Sequence, residues 1–453
     1  MKTLLNTRTW TLALCVIAAV FTIAANTPLA ADKAEPVAKT LFTNVNVFDG
    51  TNEKLINNAN VLVEGNLVKQ VSTKAISADG ATVIDGGGRT MTPGFIAMHE
   101  HIIGQMPFGD IFTQDTRYFA YVATQTANTY LMNGFTTIRD IGNSFSLRLA
   151  IDRGYVVGPR IYPSGPMISQ TAGHADHRLN SDASSLIGGT WDPMVRYGDM
   201  AVVDGVPEVL KATREALRMG ASQIKIAVGG GTGSYADPLE VTEFIPEEIR
   251  AAVQAAEDYG TYVMAHVYNS NGIRRAVENG VKSIEHGQLV DEKTLKLMKN
   301  KGVWLSPEVI VYTFHPKGYT EDQKAKHDQA FAGIDNMFKL CKKIGFTNIV
   351  FGSDIITDPE TMKKINEEFV HRTKWFTPVE ILVQATSKGG ELLAMSGPKN
   401  PYPGKLGVIE EGAYADLLLI NGDPLKDIKI LTKPDENLAL IMKDGKIYKN
   451  ILQ

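Results

Sequence analysis

Between residues 94 and 354 the chain repeats one plan, a short apolar run followed by a stretch with apolar residues every three or four positions that stops at glycine. Pro246 opens one such stretch, with Ile249, Ala252, Val253 and Ala256 on its apolar face; Gly260 ends it, and an apolar run over 262–266 follows. Proline suits the first helical turn, where its missing N–H has no partner within the helix, and glycine suits the left-handed stop. The plan recurs with Ser270 as a helix cap, Ile273, Ala276 and Val277 on the buried face, Gly280 as the stop and a run at 281–286. A helix over 291–301, Gly302 and a run at 303–307 make a third unit, and Gly345 leads into 348–354. Further runs fall at 94–101, 136–141, 160–163 and 223–228. Short strands alternating with helices of period 3.6 predict parallel βα units. Eight of them over about 300 residues predict an α/β fold, a (β/α)8 TIM barrel, for which about 250 residues are usual before insertions. An open doubly wound sheet is the alternative, but the first strand–helix turn lacks the Gly-x-Gly-x-x-Gly fingerprint.

The flanks read differently. Residues 31–92 and 399–453 carry β-rich runs broken by Asp49-Gly50, Glu64-Gly65-Asn66, Asn421-Gly422 and Asp444-Gly445 turns. They predict one small β-sandwich assembled from both chain ends around a barrel at 93–398. Residues 1–30 read as a secretory signal peptide, since Lys2 and Arg8 precede an apolar stretch at 10–25 that small residues follow. That stretch is short against the roughly 20 residues a membrane span needs. Leu14 in front of Cys15 argues against lipid attachment there, and no later run is long enough to cross a bilayer. The mature chain is therefore expected in the periplasm or outside the cell, with no membrane span. Its 46 basic and 50 acidic residues form no long block of one sign, which excludes a nucleic-acid tail. Cys15 and Cys341 are too few for a disulfide framework. Self-association is left open.

In a barrel the chemistry sits where strands end, because the following loops surround one mouth. The predicted first strand ends in His99-Glu100-His101, the fourth holds Lys225 between Ile224 and Ile226, and the fifth, sixth and eighth end in His266, His286 and Asp354. Residues two apart share a strand face, so His99 and His101 can reach one ion while Glu100 turns toward the helices. A lysine in an apolar strand is either paired, snorkelling, or held neutral; a neutral amine can take up carbon dioxide as a carbamate, an anionic metal ligand. Each histidine alone could be a core residue, and Asp354 alone a cap. Their convergence at five strand ends points to a metal site. The glycines at 229–233 lack the Gly-Lys-Ser/Thr ending of a phosphate-binding loop and read as a flexible rim.

The segment Pro93-Gly94-Phe95-Ile96-Ala97-Met98-His99-Glu100-His101, the lysine strand, the two later histidines and the final aspartate resemble the metal-dependent amidohydrolase superfamily. Ser283-Ile284-Glu285-His286-Gly287, the loop at 165–178 and the ending around Lys405-Leu406-Gly407 and Ala415-Asp416-Leu417 resemble its imidazolonepropionase-like branch, which includes Xaa-Pro dipeptidases. The resemblance implies two divalent ions, usually zinc. By position, His99, His101 and Asp354 would hold the first, His266 and His286 the second, and a carboxylated Lys225 would bridge them. It also makes His174 and Tyr235 candidates to touch the substrate, although Ala175 and His177 depart from the branch's commonest loop pattern. Arg178 or Arg196 is either a partner for a substrate carboxylate or a surface charge. His315 is a weaker candidate, and His327 and His371 read as exposed helix residues. The implied reaction is hydrolysis of a peptide-like C–N bond in a dipeptide such as Xaa-Pro or an N-acyl amino acid, with Asp354 as general base and then acid toward a hydroxide shared by the ions. Alternatives are a cyclic amide hydrolase or lactonase of the same superfamily, or an exported protein that binds metal or a small solute without chemistry.

Overall fold

The structure, a computed structural model, describes residues 37–452. The expected signal peptide lies outside the described residues. Five strands come first: β1 (Lys39–Val47), β2 (Ile56–Glu64), β3 (Leu67–Ser72), β4 (Ala81–Asp85) and β5 (Thr90–Pro93). Nine follow through the middle: β6 (Phe95–Glu100), β7 (Phe135–Asp140), β8 (Arg160–Pro163), β9 (Met167–Ser169), β10 (Met200–Val202), β11 (Ile224–Ala227), β12 (Val263–Asn269), β13 (Ser283–Leu289) and β14 (Trp304–Ser306). The last three are β15 (Leu417–Ile420), β16 (Leu438–Lys443) and β17 (Lys446–Asn450).

Both chain ends meet in one eight-stranded sheet, ordered β17-β16-β15-β5-β1-β2-β3 with β4 beside β1. The junction is the antiparallel pair β5/β15, from Thr90 against Ile420 to Pro93 against Leu417. Side chains alternate across a strand, and here the alternation serves two cores. Leu417 and Leu419 join Phe42, Val61, Met91 and Leu440 on one face. Leu418 and Ile420 turn the other way, into the main core with Phe95 and Phe135. That is why the runs at 417–420 and 438–442 are apolar throughout rather than alternating.

The middle strands pair in parallel, as β10-β9-β11-β12-β13-β14 and β6-β7-β8. On one side Ser222 N donates to Pro163 O at 2.9 Å; on the other the segment 348–354 lies between the groups, with Leu305 N donating to Asn348 O at 2.8 Å and Met98 N to Phe351 O at 2.7 Å. This is a TIM-barrel-like α/β arrangement. Seven of the eight expected strands are ladders, and β9 and β10 are additions. Residues 348–354 are extended but make only one ladder bridge, Ile349 with Leu305. The reason is local: Gly352 crosses the backbone of His99 so closely that a Cβ there would lie 2.9 Å from His99 N, and Asp354 turns out of the extended region with φ 53. At the helix after β12, Asn269 rather than Ser270 is the cap, its side chain accepting from Gly272 N.

Candidate active site

On β6 the two-residue spacing acts as expected. Glu100 points away from the strand-end cavity, accepting from Tyr130 Oη at 2.7 Å and from Ser353 N and Oγ at 2.9 and 2.6 Å. Burial outweighs these hydrogen bonds and pushes its carboxyl up to about 8. On the other side, Asp354 Oδ1 lies 3.0 Å from His101 Nε2 and 3.4 Å from His99 Nε2. The His286 ring stands 4.8 Å from His99 and 4.4 Å from His266. Lys225, on β11, is 1% exposed. All six side chains line one cavity of about 120 Å³. His99, His286 and Asp354 each offer a ligand atom within 4.8 Å of the other two, a cluster able to hold a metal ion.

Strand parity alone would not build this group. In the β12/β13 register His266 sits beside Glu285, and Val267 sits beside His286. Neighbours in register share a face, so with Glu285 turned inward His286 should face the helices. It does not, because its backbone takes φ 74, in the left-handed region that non-glycine residues rarely adopt. Two of the six residues, His286 and Asp354, carry this conformation. Such backbone costs about 1–3 kcal/mol each and gathers at functional sites.

Electrostatics also set the site apart from an ordinary core. Burial pushes Lys225 down to about 8 against the upward pull of Glu285 and Asp354. Burial, aided by neighbouring cations, holds His99, His266 and His286 well below the usual range, so their rings are neutral, the form that binds metal. Burial pulls Asp354 upward, but the His101 hydrogen bond and the favourable electrostatics of the surrounding His286, His101 and Lys225 outweigh it and keep it below its ordinary value. Beneath, fully buried Arg139 donates to both oxygens of Glu285 at 2.8 and 2.7 Å and to Met98 O at 2.6 Å. Glu308 accepts from His286 Nδ1 at 3.0 Å. Its carboxyl is pushed well up by burial and by the charges of Asp354 and Glu285. Its Oε1 lies 3.2 Å from His99 Nδ1, yet neither atom has a hydrogen bond. Imidazoles, a carboxylate and a lysine crowded around one cavity, with His99, His286 and Asp354 each offering an atom within 4.8 Å of the others, fit a bound divalent ion, and the donor types suit zinc.

His174 lines the cavity, its ring stacked on His266 at 3.9 Å and its Nδ1 2.9 Å from Ser234 Oγ. Tyr235 does not line it. Asp237 folds the loop back by accepting from Gly231 N and Ser234 Oγ, both at 2.6 Å, which leaves Tyr235 37% exposed at the bend. The glycines of 229–233 are not a flexible rim either: they are largely buried, and Gly231 passes so close under the His174 ring that no Cβ would fit. Arg178 is held by Asp176 at 2.6 Å and lies over Trp191, while Arg196 is exposed. Among the described residues, Lys225 is the only lysine or arginine lining the cavity.

His315, the weaker candidate, is exposed and does not line the cavity, whereas of the two histidines expected to be exposed His371 is half-buried and His327 is 1% exposed and lines the cavity. His327 lies on the helix Glu321–Ile344, on the same face as Gln323, Ala330 and Ile334, and that face packs inward. Tyrosines missed from the sequence complete the wall. Tyr268 stacks on His286 at 4.9 Å, and its hydroxyl meets that of Tyr312 at 2.7 Å. Tyr312 Oη is 3.2 Å from His286 Nδ1. Phe108, Ile111, Phe112, Met194 and Met200 form an apolar side.

Fold and site together are those of a hydrolase. The amidohydrolase family model matches residues 90–448, and the chain belongs to that family. Ochratoxinase from Aspergillus niger is 32% identical over 329 residues, covering 70% of this chain and 66% of that protein. A prolidase crystallised with N-methylphosphonate-L-proline is 34% identical, covering 91% of this chain and 100% of that one, with a TM-score of 0.84. A Xaa-Pro dipeptidase with methionine bound in its active site is 30% identical over 91% and 100% of the two chains, with a TM-score of 0.79.

Proposed function

We propose that this chain hydrolyses a peptide-like C–N bond in a small substrate, a dipeptide such as Xaa-Pro or an N-acyl amino acid. The reading rests on one observation: six metal-capable side chains from β6, β11, β12, β13 and the segment 348–354 line a single cavity beside an apolar wall. The names of the similar proteins, ochratoxinase, prolidase and Xaa-Pro dipeptidase, support the bond class. His99, His101 and Asp354 would hold one zinc ion, His266 and His286 a second, and Lys225, carboxylated, would bridge them. Such ions bring the pKa of water near neutrality and polarise a carbonyl oxygen.

The chain's own groups do the rest. Asp354, ionised and held by His101 at 3.0 Å, accepts the proton of the attacking water and returns it to the leaving amine. Glu285 and Glu308 face the Nδ1 atoms of His99 and His286, which fixes which ring nitrogen each histidine turns to a ligand. Lys225, at about 8, has a neutral fraction near pH 8 that can form a new N–C bond to carbon dioxide with loss of a proton. Phe108, Phe112 and the two methionines favour a large apolar acyl or N-terminal side chain. On this reading residues 93–398 close as a (β/α)8 barrel, 31–92 and 399–453 make the two parts of a β-sandwich, and residues 1–30 direct export to the periplasm or beyond.

The test is a panel of dipeptides, N-acyl amino acids, cyclic amides and lactones offered to the purified protein before chelation, after it, and after zinc is returned. Cleavage of apolar dipeptides or N-acyl amino acids that chelation removes and zinc restores is the expected result. A zinc-loaded protein that leaves every member of those two classes intact overturns the proposal.

A further inference from the structure

A second cluster of metal-capable groups stands apart from the six residues above. His315, in the segment between the short turn Ile310–Thr313 and the helix Glu321–Ile344, places Nε2 2.8 Å from Asp328 Oδ1 on that helix. His327, one residue earlier on the helix, brings its ring to 5.4 Å from that of His315. One atom from each of the three lies within 4.8 Å of the others. His315 and Asp328 reach solvent, whereas His327 is 1% exposed.

The buried histidine is the telling member. Neither of its ring nitrogens has a hydrogen-bond partner, and although the Val311 carbonyl approaches, it does so outside hydrogen-bonding geometry. Tyr312 and Tyr319 pack on the ring at centroid distances of 5.1 and 6.0 Å, which accounts for its apolar faces and leaves its nitrogens unexplained. A buried imidazole with both nitrogens unmet is costly and calls for a partner. Two imidazoles and a carboxylate are a three-ligand set for zinc with one position open to water, and ligand atoms around a tetrahedral zinc ion stand about 3.3 Å apart. The 2.8 Å pair and the 4.8 Å limit bracket that spacing.

We propose that His315, His327 and Asp328 form a separate zinc-class site at the mouth of the cavity, occupied independently of the catalytic ions. An ion there would tie the segment 314–320 to the helix. Because that segment carries Tyr319, and His327 itself lines the cavity, occupancy would fix the outer wall of the substrate entrance.

Zinc titration of the full-length protein by calorimetry, with metal counted by elemental analysis, tests this. His315→Ala and Asp328→Asn alter exposed side chains and should each bind one zinc fewer than wild type, or bind that zinc at least about tenfold more weakly. His99→Ala/His101→Ala should keep the mouth zinc and lose binding elsewhere, so failure of the catalytic assignment and failure of this one give different results. Hydrogen exchange over 314–320 should slow on zinc addition in wild type and not in His315→Ala. Equal stoichiometry and affinity in wild type, His315→Ala and Asp328→Asn overturn the proposal.

Discussion

The terminal sheet, several of whose strands are half exposed, and the cavity between wholly buried strands fill their interiors in opposite ways. Between β1, β2, β5, β15 and β16 the interior is an apolar cluster that includes Phe42, Val61, Met91, Leu419 and Leu440. At the ends of β6, β7, β11, β12 and β13 the buried side chains include His99, Arg139, Lys225, His266 and Glu285. The first interior is stabilised by removing apolar area from water; the second must compensate several desolvated charges and strained backbone. A protein keeps so costly an arrangement where it acts on something, and surrounds it with regions whose contribution is stability. Arg160, at the start of β8, ties the middle strands to the terminal part, pairing with Asp416 and Asp444 at 3.1 and 2.7 Å.

The contrast yields an ordered set of expectations. Asp354→Asn should reduce kcat by about 10²- to 10⁴-fold while the protein keeps its melting temperature and much of its metal; near-normal turnover in a metal-loaded mutant would remove Asp354 from the proton path. Arg139→Met should destabilise the fold by about 3–5 kcal/mol in urea titration, because buried Glu285 loses the guanidinium that meets both of its oxygens. A loss no greater than a surface substitution would mean that the ion pair is not what holds this floor. Leu440→Ala should cost about 2–5 kcal/mol of stability through a cavity in the terminal sheet, yet leave kcat/KM unchanged below its melting transition. Reduced kcat/KM in the folded variant would break the division between the two regions. Phe112→Ala should lower kcat/KM for aromatic substrates roughly tenfold, from about 1–3 kcal/mol of lost apolar contact, and leave small substrates unaffected.

The smallest effect concerns acid. Burial holds His177 down at about 4, whereas an unfolded histidine titrates near 6.5. The unfolded chain therefore binds the extra proton first, and this contribution to stability, full above pH 6.5, is lost as pH falls toward 4. His177→Gln should flatten that part of a plot of melting temperature against pH; an unchanged slope would show that His177 is not buried neutral.

The residues that sequence reasoning brought to the site share one signal, a polar side chain interrupting or ending an apolar strand, and His99, His101, Lys225, His266, His286 and Asp354 all line the one cavity. Arg139 and Glu285 are less legible, because each sits among other polar residues of its strand and gains its meaning only from the other, on a strand far away in sequence. Tyr268 was reachable by parity, two residues after His266 on the same strand face, and His327 by its place on the buried side of a helix. Other features depend on tertiary detail. The left-handed turn at His286 defies the alternation that usually identifies facing residues. The outward position of Tyr235 follows from the hydrogen bonds of Asp237, and Tyr312 sits in a short turn with no periodicity to read. The segment 348–354 looked like a strand because it is apolar and buried, but its ladder is interrupted where Gly352 crosses His99.

The pairing of β5 with β15 sets an order of events during synthesis. Strand β5 emerges from the ribosome more than 300 residues before its antiparallel neighbour, so until the last stretch of chain appears the sheet presents an open apolar edge, and Phe95 and Phe135 lack the Leu418 and Ile420 that cover them. A chain that stops short of β15 therefore leaves both interiors open at once, and its fate is decided by competition between completion and aggregation.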